Sequence, residues 1–201
     1  MAGEIESRGL VTVGTPGGSW YTWWRRDPLP ELAPLAGFRA AAISEPARIS
    51  ALTHLGGAEA RERIERGHRA YVALVDDAPV GWGWSAAREA SIGELWLRLR
   101  MPPGNRYLWG FETAPEWRGR GVYPRLLQCI LRYEAAEAER FWIGHEPGNA
   151  ASARGILKAE FEHLGEIMIL PGGEMLLAPM SARAERVQAG AAILGARVVP
   201  M

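Results

Sequence analysis

The spacing of apolar and polar positions changes along the chain, and the changes mark out the elements. AYVALVDD (70–77) and PVGWGWSAA (79–87) are short apolar runs. Asp76-Asp77 between them tolerates the backbone of a tight turn, so the pair predicts a β-hairpin. ELWLRLR (94–100) sets Leu95, Leu97 and Leu99 on one face and Glu94, Trp96, Arg98 and Arg100 on the other, the alternation of a half-buried strand. RYLWGFET (106–113) predicts a fourth strand. After a loop at 114–121 the period lengthens to that of a helix. Val122, Leu126, Ile130 and Tyr133 form one stripe with Leu127 and Leu131 beside it, while Glu134, Glu137 and Glu139 supply the wet side. Pro124 suits the first turn, where its missing N–H is no loss. FWIGHE (141–146) predicts a strand, and NAASARGILKA (149–159) a short helix capped by Asn149. FEHLGEIMIL and EMLLAPM close a hairpin around Pro171-Gly172-Gly173. SARAERVQAGAAILG (181–195) predicts a terminal helix with Ser181 at its cap.

The first sixty residues are less regular. LVTVGT (10–15) predicts a strand ended by Pro16-Gly17-Gly18. Trp20, Trp23 and Trp24 follow, then prolines at 28, 30, 34 and 46, a density that excludes a long helix. Gly56-Gly57 opens AEARERIERG, which predicts a helix ending at Gly67. Hairpins alternating with helical crossovers indicate a mixed α/β sheet.

Composition narrows the function classes. The chain has 201 residues, 48% hydrophobic, with 23 Lys+Arg balancing 23 Asp+Glu. A phosphate-tracking or polybasic membrane-surface protein needs a surplus of cations, so nucleic acid and membrane partners are not expected. The length predicts a single domain over 1–201. A single cysteine, Cys129, excludes an internal disulfide and a cysteine-rich zinc site, and its helical neighbours place it in the core. MAGEIESRGL lacks the apolar stretch of a secretory signal, and no apolar run approaches the ~18 residues that span a bilayer. The expected location is the cytoplasm.

The chemistry concentrates in Arg118-Gly119-Arg120-Gly121-Val122-Tyr123, between a predicted strand and a predicted helix. A helix start presents unpaired N–H groups and the positive end of its dipole. Glycines before it let an anion approach the backbone. The two arginines add charge-assisted hydrogen bonds. A phosphate or diphosphate fits such a turn, although an exposed strand-to-helix turn of no function has the same local pattern. No Gly-Lys-Ser/Thr follows, which excludes a nucleotide-hydrolase loop. Pro124 stands where a dinucleotide fingerprint needs its third glycine. His54, His68, His145 and His163 show no metal-ligand spacing, so no metal is expected. Neither Ser19 nor Ser152 lies in a hydrolase elbow. The nine tryptophans are first of all packing residues, and some could line a pocket for an apolar or aromatic amine.

Pro115-Glu116-Trp117-Arg118-Gly119-Arg120-Gly121-Val122-Tyr123 resembles the cofactor loop of the GCN5-related N-acetyltransferases (GNATs), and Asn149-Ala150-Ala151-Ser152 resembles the start of that family's following helix. Glu160-Phe161 stands at the family's Gly-Phe place, and the 70–87 hairpin resembles its second and third strands. The resemblance spans 70–180, leaving 1–66 as a divergent acceptor-side region and 181–201 as a C-terminal helix and tail. It implies a mixed, mostly antiparallel twisted sheet of about six to seven strands with helices on both faces. It also implies acetyl-CoA as co-substrate, held by Arg118, Gly119, Arg120, Gly121, Val122, Tyr123, Asn149 and Ser152. The backbone of Phe111 and Thr113 would take the pantetheine arm, beside a bulge. The reaction implied is direct acetyl transfer to a primary amine of a small molecule in a ternary complex. Glu112 is the first candidate for the base and Tyr107 the second; Glu94, His145, Glu146 or a chain of waters are alternatives. The sequence departs from the family twice: Tyr123 replaces a Gly or Ala, and Ile156 stands where many members carry the tyrosine that protonates the departing thiolate. That second departure leaves open a non-catalytic acyl-CoA-binding or regulatory module. Acylation of a protein N-terminus or lysine is also open, as is a homodimer formed through 181–201.

Overall fold

The computed structural model describes residues 3–7, 10–53, 55–93 and 97–199. Its centre is a ten-stranded sheet. In order across the sheet run β12 (Arg197–Val198), β11 (Met175–Pro179), β10 (Glu162–Ile169), β2 (Leu10–Trp24), β9 (Arg140–His145), β8 (Asn105–Thr113), β5 (Ala78–Ala86), β4 (His68–Val75) and β3 (Phe38–Ile43), with β1 (Gly3–Ser7) on β2. Neighbours are antiparallel except β8–β9 and β11–β12. A separate hairpin pairs β6 (Glu89–Ile92) with β7 (Leu97–Arg100). The expected class holds, and the sheet is larger than the six to seven strands anticipated.

The extra strands are those the sequence conceals. β2 does not stop at Pro16-Gly17-Gly18. It passes through a bulge, where Pro16 faces Met168 and Gly18 faces Ile167, so that Gly17 is the inserted residue. A bulge accommodates a proline that the regular ladder would reject. Trp20, Tyr21, Trp23 and Trp24 therefore belong to a central strand. β3 is an alanine-rich strand (FRAAAI) of weak β preference, held by six residue pairs with β4. Pro46 opens the short helix α1 (Pro46–Leu52), which packs with α2 (Gly57–Glu65). The 70–87 hairpin turns on Asp76 and Asp77, both at positive φ, as their type permits. Of the predicted strand 94–100, Glu94, Leu95 and Trp96 lie outside the described residues, as does His54.

Alternation along β4 shows the two faces. Tyr71, Ala73 and Val75 join the cluster under α3 (Val122–Glu134) and α4 (Ala150–Lys158), while Ala70, Val72 and Leu74 face α1 and α2. A further cluster lies beneath α5 (Ala184–Leu194) and the β6–β7 hairpin. In α3 the fully buried Leu126, Leu127, Ile130 and Leu131 each contribute about 1.5–3 kcal/mol of transfer free energy. The polar side of this helix is not as expected. Tyr133 is 61% exposed, whereas Glu134 is fully buried, because Arg106 and Tyr71 reach it from the sheet. Cys129 is only partly buried. Ser181 does not cap α5 directly: the helix begins at Ala184, and the Ser181 hydroxyl accepts from the Arg183 amide while donating to Glu162. Glu160, at the expected glycine place, holds φ 72°, the left-handed backbone a glycine adopts without cost. No described helix is long and apolar enough to cross a membrane.

His68 is buried between strand and hairpin, with its Nε2–H on the Glu89 carbonyl at 2.7 Å and Nδ1 without a partner among the described residues. Burial, and the cations Arg63, Arg66 and Arg88, press its pKa below the ordinary 6.5, against the pull of that carbonyl. The unfolded chain therefore binds the extra proton first, and stability falls as pH drops through about 6.5. Melting curves between pH 7 and pH 5 should show this slope, and His68→Gln, which keeps the donor, should reduce it. An unchanged slope would assign the acid sensitivity elsewhere.

Candidate active site

The parallel pairing of β8 with β9 covers Asn105–Leu108 against Arg140–Ile143 and stops there. Across from β5, Trp84 faces Trp109 and Trp82 faces Glu112, so β8 bulges at Gly110-Phe111 and stays on β5 to Thr113. A cavity of about 1050 Å³ opens where β8 and β9 are no longer paired. Its lining comes from both strands, from β2 and β10, from the loop before α3, from α3 and α4, and from Ser91–Gly93 at the end of β6.

One side of the cavity gathers a glycine turn, a helix start and cations. The short 3-10 turn Pro115–Trp117 gives way to an extended Arg118, then to Gly119 and Gly121 at φ 75° and 76°. Gly121 is the N-cap of α3, and no atom crowds Gly119 within 4 Å of a built Cβ. Both glycines turn the backbone where other residues would be strained by about 1–2 kcal/mol. The first turn of α3 leaves the amides of Val122 and Tyr123 without intrahelical acceptors, and Pro124 has none to offer. The Arg118 Nε donates to the Thr113 carbonyl at 3.1 Å, tying loop to strand. Arg125 donates to the carbonyls of Gly121, at 2.7 Å, and Ala33. Arg154 and Lys158 of α4 line the same side. Free amides, a helix dipole and several cations form a cradle into which a diphosphate fits.

The other expected residues separate. Asn149 caps α4, its side chain accepting from the Ser152 amide at 3.0 Å, and both line the cavity. Val122 is 1% exposed and packs in the core, so it offers the cavity only its backbone. Arg120 does not line the cavity; its guanidinium lies 4.9 Å over the Trp117 ring. Phe111 lies across Gly83 and against Tyr123, with ring centroids 5.2 Å apart. Tyr123 turns away from the loop's amides onto α4, passing so close over Gly155 that a side chain there would collide with it. Its hydroxyl sits 3.4 Å from the Ser152 hydroxyl. Burial raises its pKa, outweighing the Ser152 contact, so the phenol stays protonated near neutral pH. Ile156 is fully buried in the core. Glu112 and Tyr107 both line the cavity, and Tyr107 stacks on Trp20 at 5.6 Å.

His145, at the end of β9, faces the cavity with both ring nitrogens engaged. Nδ1 is 2.8 Å from the Glu146 carbonyl and therefore carries the proton, which leaves Nε2 of the neutral ring to accept from the Tyr21 hydroxyl at 3.0 Å. Tyr21 also stacks on His163 at 4.7 Å, and His163 lies 2.9 Å from Glu166, on which Ser19 donates. Burial opposes the charge on Glu166, but His163 and Ser19 together hold its pKa below the usual range. Sequence reading named His145 and missed this network, because Ser19 and Tyr21 lie in the unrecognised half of β2. It also missed Arg154 and Lys158, whose spacing of four on α4 was the available signal. Among the described residues no group of His, Cys, Asp and Glu could hold a metal.

The sequence matches the profile described as "Acetyltransferase (GNAT) family" over residues 21–158. No curated protein sequence matches. Among solved structures, a GCN5-related N-acetyltransferase from Kribbella flavida superposes with TM-score 0.52 at 16% identity, over 73% of this chain and 54% of that one. A putative GNAT acetyltransferase from Novosphingobium aromaticivorans gives 0.50 at 18% identity, over 74% and 61%. A tandem GNAT protein from the clavulanic acid biosynthesis pathway gives 0.50 at 19% identity, over 74% and 50%. The chain thus spans half to three-fifths of the length of these structures, and at such identities the likeness is one of fold. With the profile matched across the hairpin, the glycine loop and α4, the chain belongs to the GNAT acetyltransferase family.

Proposed function

We propose that the protein is an N-acetyltransferase that moves the acetyl group of acetyl-CoA to a primary amine of a small molecule by direct attack in a ternary complex. The observation that carries the reading is the glycine loop opening α3, with its amides and neighbouring cations beside the gap between β8 and β9. Arg118, Gly119, Gly121 and the amides of Val122 and Tyr123 would hold the diphosphate, with Asn149 and Ser152 on the facing helix. Arg120, turned onto Trp117, contributes charge at longer range. The backbone of Phe111 and Thr113, beyond the bulge, would hold the pantetheine arm.

When bound, acetyl-CoA supplies a thioester carbonyl that an amine can attack, forming a C–N bond, breaking the C–S bond and releasing CoA as the thiol. The residues around it manage the protons. Glu112 takes one from the acceptor's ammonium group, leaving the nucleophilic amine, and Tyr107 is the alternative on the same strand. Ile156 has no proton to give, so the departing thiolate takes its proton from water or another group, or leaves unassisted.

Incubation with acetyl-CoA and a panel of amines tests the proposal. Free thiol and acetylated amine should appear in equal amounts. CoA at ~100 times its dissociation constant should stabilise the protein by roughly 2.7 kcal/mol. Stabilisation without amine-dependent thiol release would establish instead the binding module that Ile156 keeps open.

A further inference from the structure

Charge is not spread evenly around the cavity. Its lining cations, Arg118, Arg154 and Lys158, all come from the loop before α3 and from α4. The opposite face of the sheet is aromatic. Trp84 faces Trp109 across β5–β8, with rings 6.2 Å apart, and belongs to the cluster beneath α1 and α2. Trp82 lies two residues from Trp84 and so shares its face, and Glu112 is directly opposite Trp82. Phe111, packed over Gly83, points the other way, consistent with Glu112 being on the tryptophan side despite the bulge. Ile92 closes the cavity from the hairpin and packs with the cluster that contains Trp20 and Tyr107. Among the described residues, the cavity lining holds one carboxylate besides Glu112, namely Glu146, beyond the end of β9.

This arrangement says what the acceptor is. We infer that it is a primary amine carried on an aromatic or flat apolar body, with a single positive charge; the inference rests on the acetyltransfer reading above. Its ammonium group pairs with Glu112, which lines the cavity on the tryptophan side. Its body lies against Trp109 and Ile92, exchanging water for apolar surface. A polyamine or an aminoglycoside would bring further ammonium groups against indole and isoleucine, where each loses hydration without a counter-charge. Those acceptors need several carboxylates, and among the described residues the wall on this side supplies one.

The test is a set of calorimetric titrations into the CoA-saturated protein, after a melting shift has established that CoA is bound. The probes are 2-phenylethylamine and tryptamine against spermidine and kanamycin. The aromatic amines should bind at least ten-fold more tightly than the polycations. Ile92→Glu, on the small hairpin, and Trp109→Ala should each weaken tryptamine at least ten-fold while the CoA-induced melting shift persists. That persistence shows each variant folded. Equal or tighter binding of spermidine or kanamycin overturns the inference and leaves acetyl transfer standing. So does failure of both aromatic amines to bind a protein that CoA stabilises. Absence of any CoA shift removes the underlying reading and this one together.

Discussion

Glu112→Gln is expected to lower kcat for amine acetylation by roughly 10²–10⁴-fold, the share a positioned general base supplies. The variant keeps the shape of the side chain opposite Trp82 but cannot accept the ammonium proton. CoA affinity should be unchanged, because the Glu112 side chain is on the Trp82 side of β8, opposite to that of Phe111, while the glycine loop is tied to the strand through the Thr113 carbonyl. Steady-state kinetics alongside a CoA titration would show a fall in kcat with an unaltered CoA dissociation constant. Tyr107→Phe, in a residue 6% exposed and stacked on Trp20, should leave most activity in place. Full activity in Glu112→Gln with loss in Tyr107→Phe would transfer the base role to Tyr107.

The second large effect is on stability and lies away from the cavity. Glu134→Ala is expected to cost about 3–5 kcal/mol, the usual penalty for removing one partner of a buried ion pair. Glu134 is fully buried at the end of α3. It accepts from Arg106, pairs with Arg69 at 3.6 Å and accepts from the Tyr71 hydroxyl at 2.7 Å. Glu137, exposed beside it, bridges Arg69 at 2.6 Å and Arg106 at 3.3 Å, and Arg69 draws its pKa below the usual range. Removing the buried carboxylate leaves Arg106, itself 9% exposed at the side chain, without its main counter-charge. For a chain of this size the loss should lower Tm by roughly 6–20 °C. Replacing Glu134 and Arg106 together with methionines should recover much of it, since well-packed apolar residues often match a buried pair. A double variant as unstable as Glu134→Ala alone would show that shape, not charge, holds this corner.

What could be read in the sequence followed from how local each signal was. The glycine loop was legible because its determinants lie within six residues: two glycines for positive φ, arginines, and an apolar helix pattern starting at once. Asn149 was legible as a cap for the same reason. The 70–87 hairpin needed only two alternating runs and an Asp-Asp turn. β2 was not legible, since Pro16-Gly17-Gly18 imitates a terminator; only pairing with β10 turns it into a bulge. The network of Tyr21, His145, His163 and Glu166 was hidden behind that error, because three strands far apart in the chain build it. Glu134 was placed toward water on helical spacing, yet its burial is set by Arg106 and Tyr71, 28 and 63 residues away. Periodicity reports which side of a helix is polar, and cannot report that a cation waits on the apolar side.

The account depends above all on the loop before α3 gripping a diphosphate. Calorimetric titration of CoA against 4′-phosphopantetheine, which carries one phosphate and no nucleotide, addresses this directly. CoA should bind at least 100-fold more tightly, and Arg118→Ala together with Gly119→Val should remove most of that margin. Equal affinities for the two ligands, or no heat from CoA at millimolar concentration, would contradict it.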